Sequence, residues 1–169
     1  ILKRAWQIYI AHVFLFAIYL AEIAWVAKSF DNPLFTEEMG VLNFLDHPDV
    51  TIIQALLLKF KPVNMDVLPL YIVLLILFAP ILWLLLRRPS GALGVSAALY
   101  AATWYFGWNL PAWPKGVWVF NPFAWQLLFV FGAWCALGGA PKLKRWLDSP
   151  VTFGLAIAYL VFSFSIVMT

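Results

Sequence analysis

Arg4, His12, Tyr19 and Glu22 fall within an arc of roughly 80° if the residues around them are helical at about 100° per residue, and Tyr9 sits beside that arc. His12 then lies about 12 Å along the helix from Arg4, at a rise of about 1.5 Å per residue. An ionisable side chain among apolar neighbours is costly, so it faces protein or water. The chemistry such a seam offers is polar machinery at His12, with an anionic donor, such as the phosphates of a coenzyme, held at Lys3 and Arg4. A plainer reading stands beside it. His12 is satisfied by a neighbouring helix, Glu22 sits near an aqueous boundary, and Lys3-Arg4 is placed by topology alone.

Asp66 offers a second centre. It precedes the apolar stretch Val67-Leu68-Pro69-Leu70-Tyr71, where an acid is favoured by the helix dipole. Its functional alternative is a general base or a ligand for a sugar hydroxyl. Asn109, Trp113, Trp118, Asn121, Trp125 and Gln126 form a third group. Rings stack on sugar faces and amides bond hydroxyls, which makes a sugar platform; Trp at a membrane interface is also routine. No His/Cys/Asp cluster has metal-ligand spacing, so no metal is expected, and no bound cofactor. There is no phosphate-cradling glycine loop and no Gly-x-Ser-x-Gly elbow.

The elements that must position these residues are long apolar runs. Five are expected to span a bilayer: 5–27, 67–86, 92–110, 123–138 and 151–169, against the roughly 20 residues a span requires. Hydrophobic residues make up 64% of the chain and charged ones 11%. Soluble domains carry about 25% charged residues. The fold class is therefore an all-α, polytopic transmembrane bundle forming a single domain over 1–169. Pro69 and Pro80 are expected to distort the second span. The net charge of +3 sits in clusters at helix ends, which is no nucleic-acid signal, and the single Cys135 excludes an intrachain disulfide.

Alternating spans put Lys3, Arg4, Arg87, Arg88, Lys142, Lys144 and Arg145 on one side, which the positive-inside rule makes cytoplasmic together with Ile1. The other side receives Lys28, Lys59, Lys61 and Lys115 with Asp31, Glu37, Glu38, Asp46, Asp49 and Asp66. The outer loop 28–66 is too long for a plain connection. Two short helices lying in the outer interface are expected there. One starts at Thr36-Glu37-Glu38 with Met39, Leu42 and Leu45 as its stripe. The other is capped by Asp49, with Ile52, Ile53, Leu56, Leu57 and Phe60 on one strongly apolar face. The chain begins at Ile1 and stops at Thr169 inside an apolar run, so it is expected to be a fragment of a larger protein.

Four stretches carry a resemblance: Arg4-Ala5-Trp6-Gln7-Ile8-Tyr9-Ile10-Ala11-His12, Phe30-Asp31-Asn32-Pro33-Leu34-Phe35, Asp66-Val67-Leu68-Pro69-Leu70-Tyr71-Ile72-Val73-Leu74-Leu75 and Phe120-Asn121-Pro122-Phe123-Ala124-Trp125-Gln126-Leu127-Leu128-Phe129. In this order they resemble the OpgC family of bacterial inner-membrane proteins, itself similar to the acyltransferase family 3 enzymes. The resemblance implies transfer of an acyl group, succinyl by the family's named activity, from acyl-CoA (succinyl-CoA) in the cytoplasm to hydroxyls of periplasmic glucans. It implies Lys3 and Arg4 as contacts for CoA phosphates and His12 as part of the polar machinery. Asp66 is the further catalytic candidate. Trp113, Trp118, Asn121 and Gln126 are the candidates on the acceptor side. Relatives carry a catalytic His in a span upstream; nothing here matches it, so this segment is expected to be inactive alone. A glycan or lipid-linked sugar transporter and a structural membrane subunit are the rival classes.

Overall fold

A computed structural model describes residues 1–30 and 40–168, except the side chains of Arg145 and Trp146. Its helices are α1 (Leu2–Ser29), α2 (Leu42–Asp46), α3 (Pro48–Leu56), α4 (Val67–Arg87), α5 (Pro89–Phe106), α6 (Pro122–Trp134), α7 (Ala140–Leu147) and α8 (Pro150–Met168). Among the described residues the only β pairing is an isolated bridge between Pro111 and Val117. The chain divides into two compact units, Ile1–Val130 and Phe131–Thr169.

Four helical stretches are long and apolar enough to cross a membrane: Leu2–Ser29, Val67–Arg87, Pro122–Lys144 and Pro150–Met168. They make this a multi-pass membrane protein. The run expected over 92–110 is the exception. It is a shorter helix, α5, ended by Gly107 in the left-handed conformation at φ 66°. Ser90, Gly91, Gly94, Ser96 and Thr103 dilute its apolar character. Arg88 alone links it to α4. The span expected over 123–138 is broken at its end by Leu137 and Gly138, whose non-helical dihedrals lie inside a π-type turn over Cys135–Gly139. Pro69 falls in the first turn of α4, where no bond is lost, and Pro80 lies inside a helix that continues through it.

In the first unit α4 packs along α1. Leu15, Ile18, Tyr19 and Glu22 of α1 line one cavity with Asn64, Met65, Val67 and Leu68. The start of α4 therefore lies beside the Leu15–Glu22 stretch of α1. The 21 residues of α4 span about 31 Å, enough to return to the Lys3–Arg4 end. That length matches a hydrocarbon core of about 30 Å.

The segment between α1 and α4 corrects the sequence reading. The helix expected from Thr36 lies outside the described residues. Leu42 and Leu45 belong to α2, and α3 is preceded by His47 with Pro48 at its first position, so Asp49 sits in its first turn rather than as its cap. These helices descend along α1 instead of lying at its end. Phe44 and Phe60 meet Phe16 edge-on, with ring centroids 6.3 and 6.1 Å apart. The Tyr9 hydroxyl donates to the Leu56 carbonyl at 3.0 Å, and the Tyr19 hydroxyl to the Val63 carbonyl at 2.9 Å. Ten residues of α1 separate those tyrosines, so the segment reaches about 15 Å below the start of α4, half the hydrocarbon thickness. It is re-entrant.

The apolar face expected for this helix turns outward, and a different face packs. Thr51 and Ala55 are buried, whereas Ile52, Ile53, Leu56 and Leu57 are exposed, and Phe60 lies beyond the helix. In lipid, small residues allow close helix approach and large apolar ones can face outward. The Thr51 hydroxyl lies 2.7 Å from the His47 carbonyl and 2.9 Å from that of Asn43, tying α3 to α2.

Candidate functional site

The buried stripe of α1 is Ala5, His12, Phe16, Leu20 and Ile23. Large apolar side chains at this spacing form one helix face, and His12 is the polar interruption in it. The polar seam read from sequence therefore divides. His12 lies within the stripe, Tyr9 and Tyr19 flank it and hold the re-entrant backbone, and Arg4 and Glu22 are exposed. Counting ten residues from Leu2 and ten to Glu22, His12 sits about 15 Å from each, near mid-membrane. It is 2% exposed, and its Nδ1 has no hydrogen-bond partner among the described residues.

Among the described residues His12 is the one ionisable side chain lining a cavity of about 340 Å³ between α1 and the re-entrant helices. Val13, Phe16, Leu20, Phe44, Ile52 and Leu56 supply much of the remaining wall. Ligand sites of this size are mostly apolar with few polar groups, as here.

Re-entrant backbone within lipid requires internal partners for its polar groups. The tip turns at Leu58, which adopts φ 60°, a strained conformation for a bulky side chain. The Lys59 and Phe60 amides both donate to the Gln54 carbonyl, at 2.8 and 3.1 Å, and the Lys59 carbonyl accepts from the Trp113 amide at 3.0 Å. That last bond brings in the loop 107–121. Trp113 also meets Phe60 edge-on at 5.9 Å.

Lys61 is the residue the sequence reading passed over as a polar position. Its side chain is 4% exposed, and its Nζ lies 3.6 Å from Asp66 Oδ1 and 3.6 Å from the centre of the Trp118 ring. The ion pair is longer than a hydrogen bond. Burial lowers the Lys61 pKa to about 8, although the Asp66 carboxylate opposes the fall. Asp66, expected as a helix-start acid or a base, makes no cap hydrogen bond and faces Lys61 instead.

The other expected residues are spread differently. Lys3 and Arg4 are exposed at the start of α1, where an Arg4 guanidinium nitrogen lies 3.4 Å from Gln7 Oε1. Trp118 is 4% exposed, with Lys61 over its ring and Nε1 without a hydrogen-bond partner among the described residues. Asn121 donates to the Trp108 carbonyl at 2.6 Å and accepts from the Phe123 amide at 3.0 Å, capping α6. Gln126 is buried between α5 and α6. Its Oε1 accepts from the Ser96 hydroxyl at 2.6 Å, and its Nε2 donates to the Ser96 and Phe123 carbonyls at 2.9 and 3.2 Å. Lys61, Asp66 and Trp118 are thus brought into contact, while His12 lines the cavity beside α1. Asn121 and Gln126 are engaged by their own fold. The signal that could have singled out Lys61 was its place between Phe60 and Pro62, beside an otherwise apolar span.

The model of the family described as OpgC protein matches residues 1–169, the whole chain. No curated protein and no solved structure matches it.

Proposed function

The chain belongs to the OpgC family, and from that premise we propose that it forms part of a bacterial inner-membrane acyltransferase moving a succinyl group from succinyl-CoA to hydroxyls of periplasmic glucans. The observation that carries this reading is the set of polar groups buried within the membrane-spanning unit: His12 beside an apolar cavity, then Lys61, Asp66 and Trp118. Such groups are expensive there and mark chemistry or transport. Lys3 and Arg4, exposed at one end of α1, supply cations for the CoA phosphates on the cytoplasmic side. Trp118, over which Lys61 and its partner Asp66 lie, is assigned to the side where the glucan is received, with Trp113 deeper at the tip of the re-entrant segment.

The transfer runs as follows. A base removes the proton of a glucan hydroxyl, and its oxygen attacks the thioester carbonyl. The carbon–sulfur bond breaks, and the CoA thiolate takes up a proton. In this reading Asp66 takes the hydroxyl proton at the glucan side, and His12 holds the thioester end. The test is glucan charge in cells lacking the gene, against cells complemented with wild type, His12→Ala or Asp66→Ala. Anionic substitution should vanish in the deletion and return with wild type only. Equal charge in deletion and wild type sinks the transferase reading, and full charge with both variants sinks the residue assignments.

One observation favours a second reading, a glycan transporter: re-entrant backbone beside a mid-membrane polar group recurs in transport proteins. Release of free CoA on incubation with succinyl-CoA and glucan separates the two, since a transporter forms no such product.

A further inference from the structure

The second compact unit, Phe131–Thr169, holds the basic cluster Lys142, Lys144 and Arg145, to which the proposed transfer gives no part. The helix that enters this unit is broken at Leu137 and Gly138, the latter left-handed at φ 95°. Pro122–Gly139 covers about 27 Å, close to a hydrocarbon core of about 30 Å, so α7 begins at the membrane boundary. Its eight residues, Ala140–Leu147, are about 12 Å long. α8 has 19 residues, or about 28 Å, with no length to spare for a crossing. Asp148 and Ser149 alone separate the two helices, and neither is extended. The Asp148 amide donates to the Lys144 carbonyl at 2.8 Å, and the Ser149 carbonyl accepts from the Phe153 amide at 3.1 Å. If α7 pointed straight out of the membrane, α8 would start about 12 Å beyond the hydrocarbon. Val151 and Phe153, which are exposed, would then stand in water. α7 must end at the level at which it starts, and so it runs along the surface.

The residues of α7 suit that position. Leu143 and Leu147 lie four apart on one face, and Leu147 is exposed. Lys142 and Lys144, both exposed, project about 100° to either side of Leu143. Among the described residues the ion pair formed is Lys61 with Asp66, so Asp148 neutralises neither lysine. An apolar face edged by lysines suits a helix lying in the interface, with its leucines in the acyl layer and its ammoniums among phosphates.

We propose that α7 lies in the plane of the membrane and docks on anionic phospholipid headgroups, which Lys142 and Lys144 bind while Leu143 and Leu147 enter the acyl layer. The bilayer is the occupant because its phosphates complement the lysines, and because the exposed apolar start of α8 follows directly after Ser149. This surface is independent of the acyl-transfer chemistry.

The test places a fluorescent label at Leu147→Cys in the native full-length protein, with other cysteines replaced. The protein is reconstituted in vesicles of phosphatidylcholine and phosphatidylglycerol. Nitroxides on acyl chains near the headgroups should quench the label, and aqueous iodide should not. Nitroxide-bearing phosphatidylglycerol should quench at a lower mole fraction than nitroxide-bearing phosphatidylcholine, by about fivefold for each lysine. Lys142→Gln with Lys144→Gln should remove that preference, and the matching Arg pair should keep it. Iodide access to the label overturns the in-plane placement and leaves α7 to an acidic partner protein. Equal quenching by the two lipids, or a preference that survives the double Gln variant, overturns headgroup binding. Should that variant fail to fold, the protein with both lysines still decides. Its preference should collapse at high salt, where the Debye length shrinks to about 3 Å. A preference that salt leaves unchanged overturns the proposal.

Discussion

Two buried polar sites lie in the same unit, and they are built on opposite terms. At the α5–α6 contact, both amide atoms of Gln126 are hydrogen-bonded, to Ser96 and to the Phe123 carbonyl. Beside α1, the ammonium of Lys61, the indole N–H of Trp118 and Nδ1 of His12 have no hydrogen-bond partner among the described residues. A closed network holds helices together; buried donors without hydrogen-bond acceptors are costly to the fold. The lesson concerns residue choice. Ser and Gln are neutral and complete each other, whereas Lys61 brings a charge that one carboxylate at 3.6 Å only partly offsets.

That contrast can be broken in several ways, read by denaturation of the protein in detergent micelles. The largest effect is expected from Asp66→Ala, which leaves Lys61 buried without its counter-charge and should cost about 3 kcal/mol. The double change Lys61→Met with Asp66→Asn removes the charges together and should be neutral or stabilising, so an equal loss in both variants would contradict the assigned ion pair. Gln126→Leu removes the acceptor of the Ser96 hydroxyl and should cost about 2 kcal/mol. A cost near zero would mean that the α5–α6 contact relies on packing alone. Tyr19→Phe, which leaves the Val63 carbonyl of the re-entrant segment without its donor, should cost about 1 kcal/mol.

The smallest effect is the most specific. The folded pKa of Lys61, about 8, lies below its ordinary value of 10.5. The unfolded chain therefore binds more protons between those values, and wild type should gain stability relative to Lys61→Met as pH rises from 8 to 10.5. A constant difference across that window would show that Lys61 is not buried as described.

The spans were legible because hydropathy over about 20 residues is a strong signal, and α1, α4 and α8 lie close to where it put them. The stretch 92–110 is helical as α5 but less apolar than the others, because it buries Ala92, Ser96 and Thr103, small residues that carry little hydropathy. The same physics concealed the packed face of α3. Its large residues drew attention, while Thr51 and Ala55 are what pack. His12 was legible as a charge-bearing group inside a span. Lys61 was not, because a lysine in a loop of 39 residues reads as solvated, and only the descent of residues 40–66 along α1 buries it. That descent is written in backbone hydrogen bonds to Tyr9 and Tyr19, which leave no periodic trace in the chain.

The re-entrant segment has a consequence for biogenesis. Residues 40–66 include Asp46, Asp49, Lys59, Lys61 and Asp66, a content that does not partition into lipid unaided. During synthesis they must pass to the far side of the bilayer as a hydrated loop between two inserted helices. They can sink beside α1 only once α4 and the loop 107–121 are there to receive Lys61 and Phe60. Maturation of this protein therefore has a late step, the docking of a polar loop into a finished wall, and chains stalled before Trp118 emerges would keep that loop open to proteases.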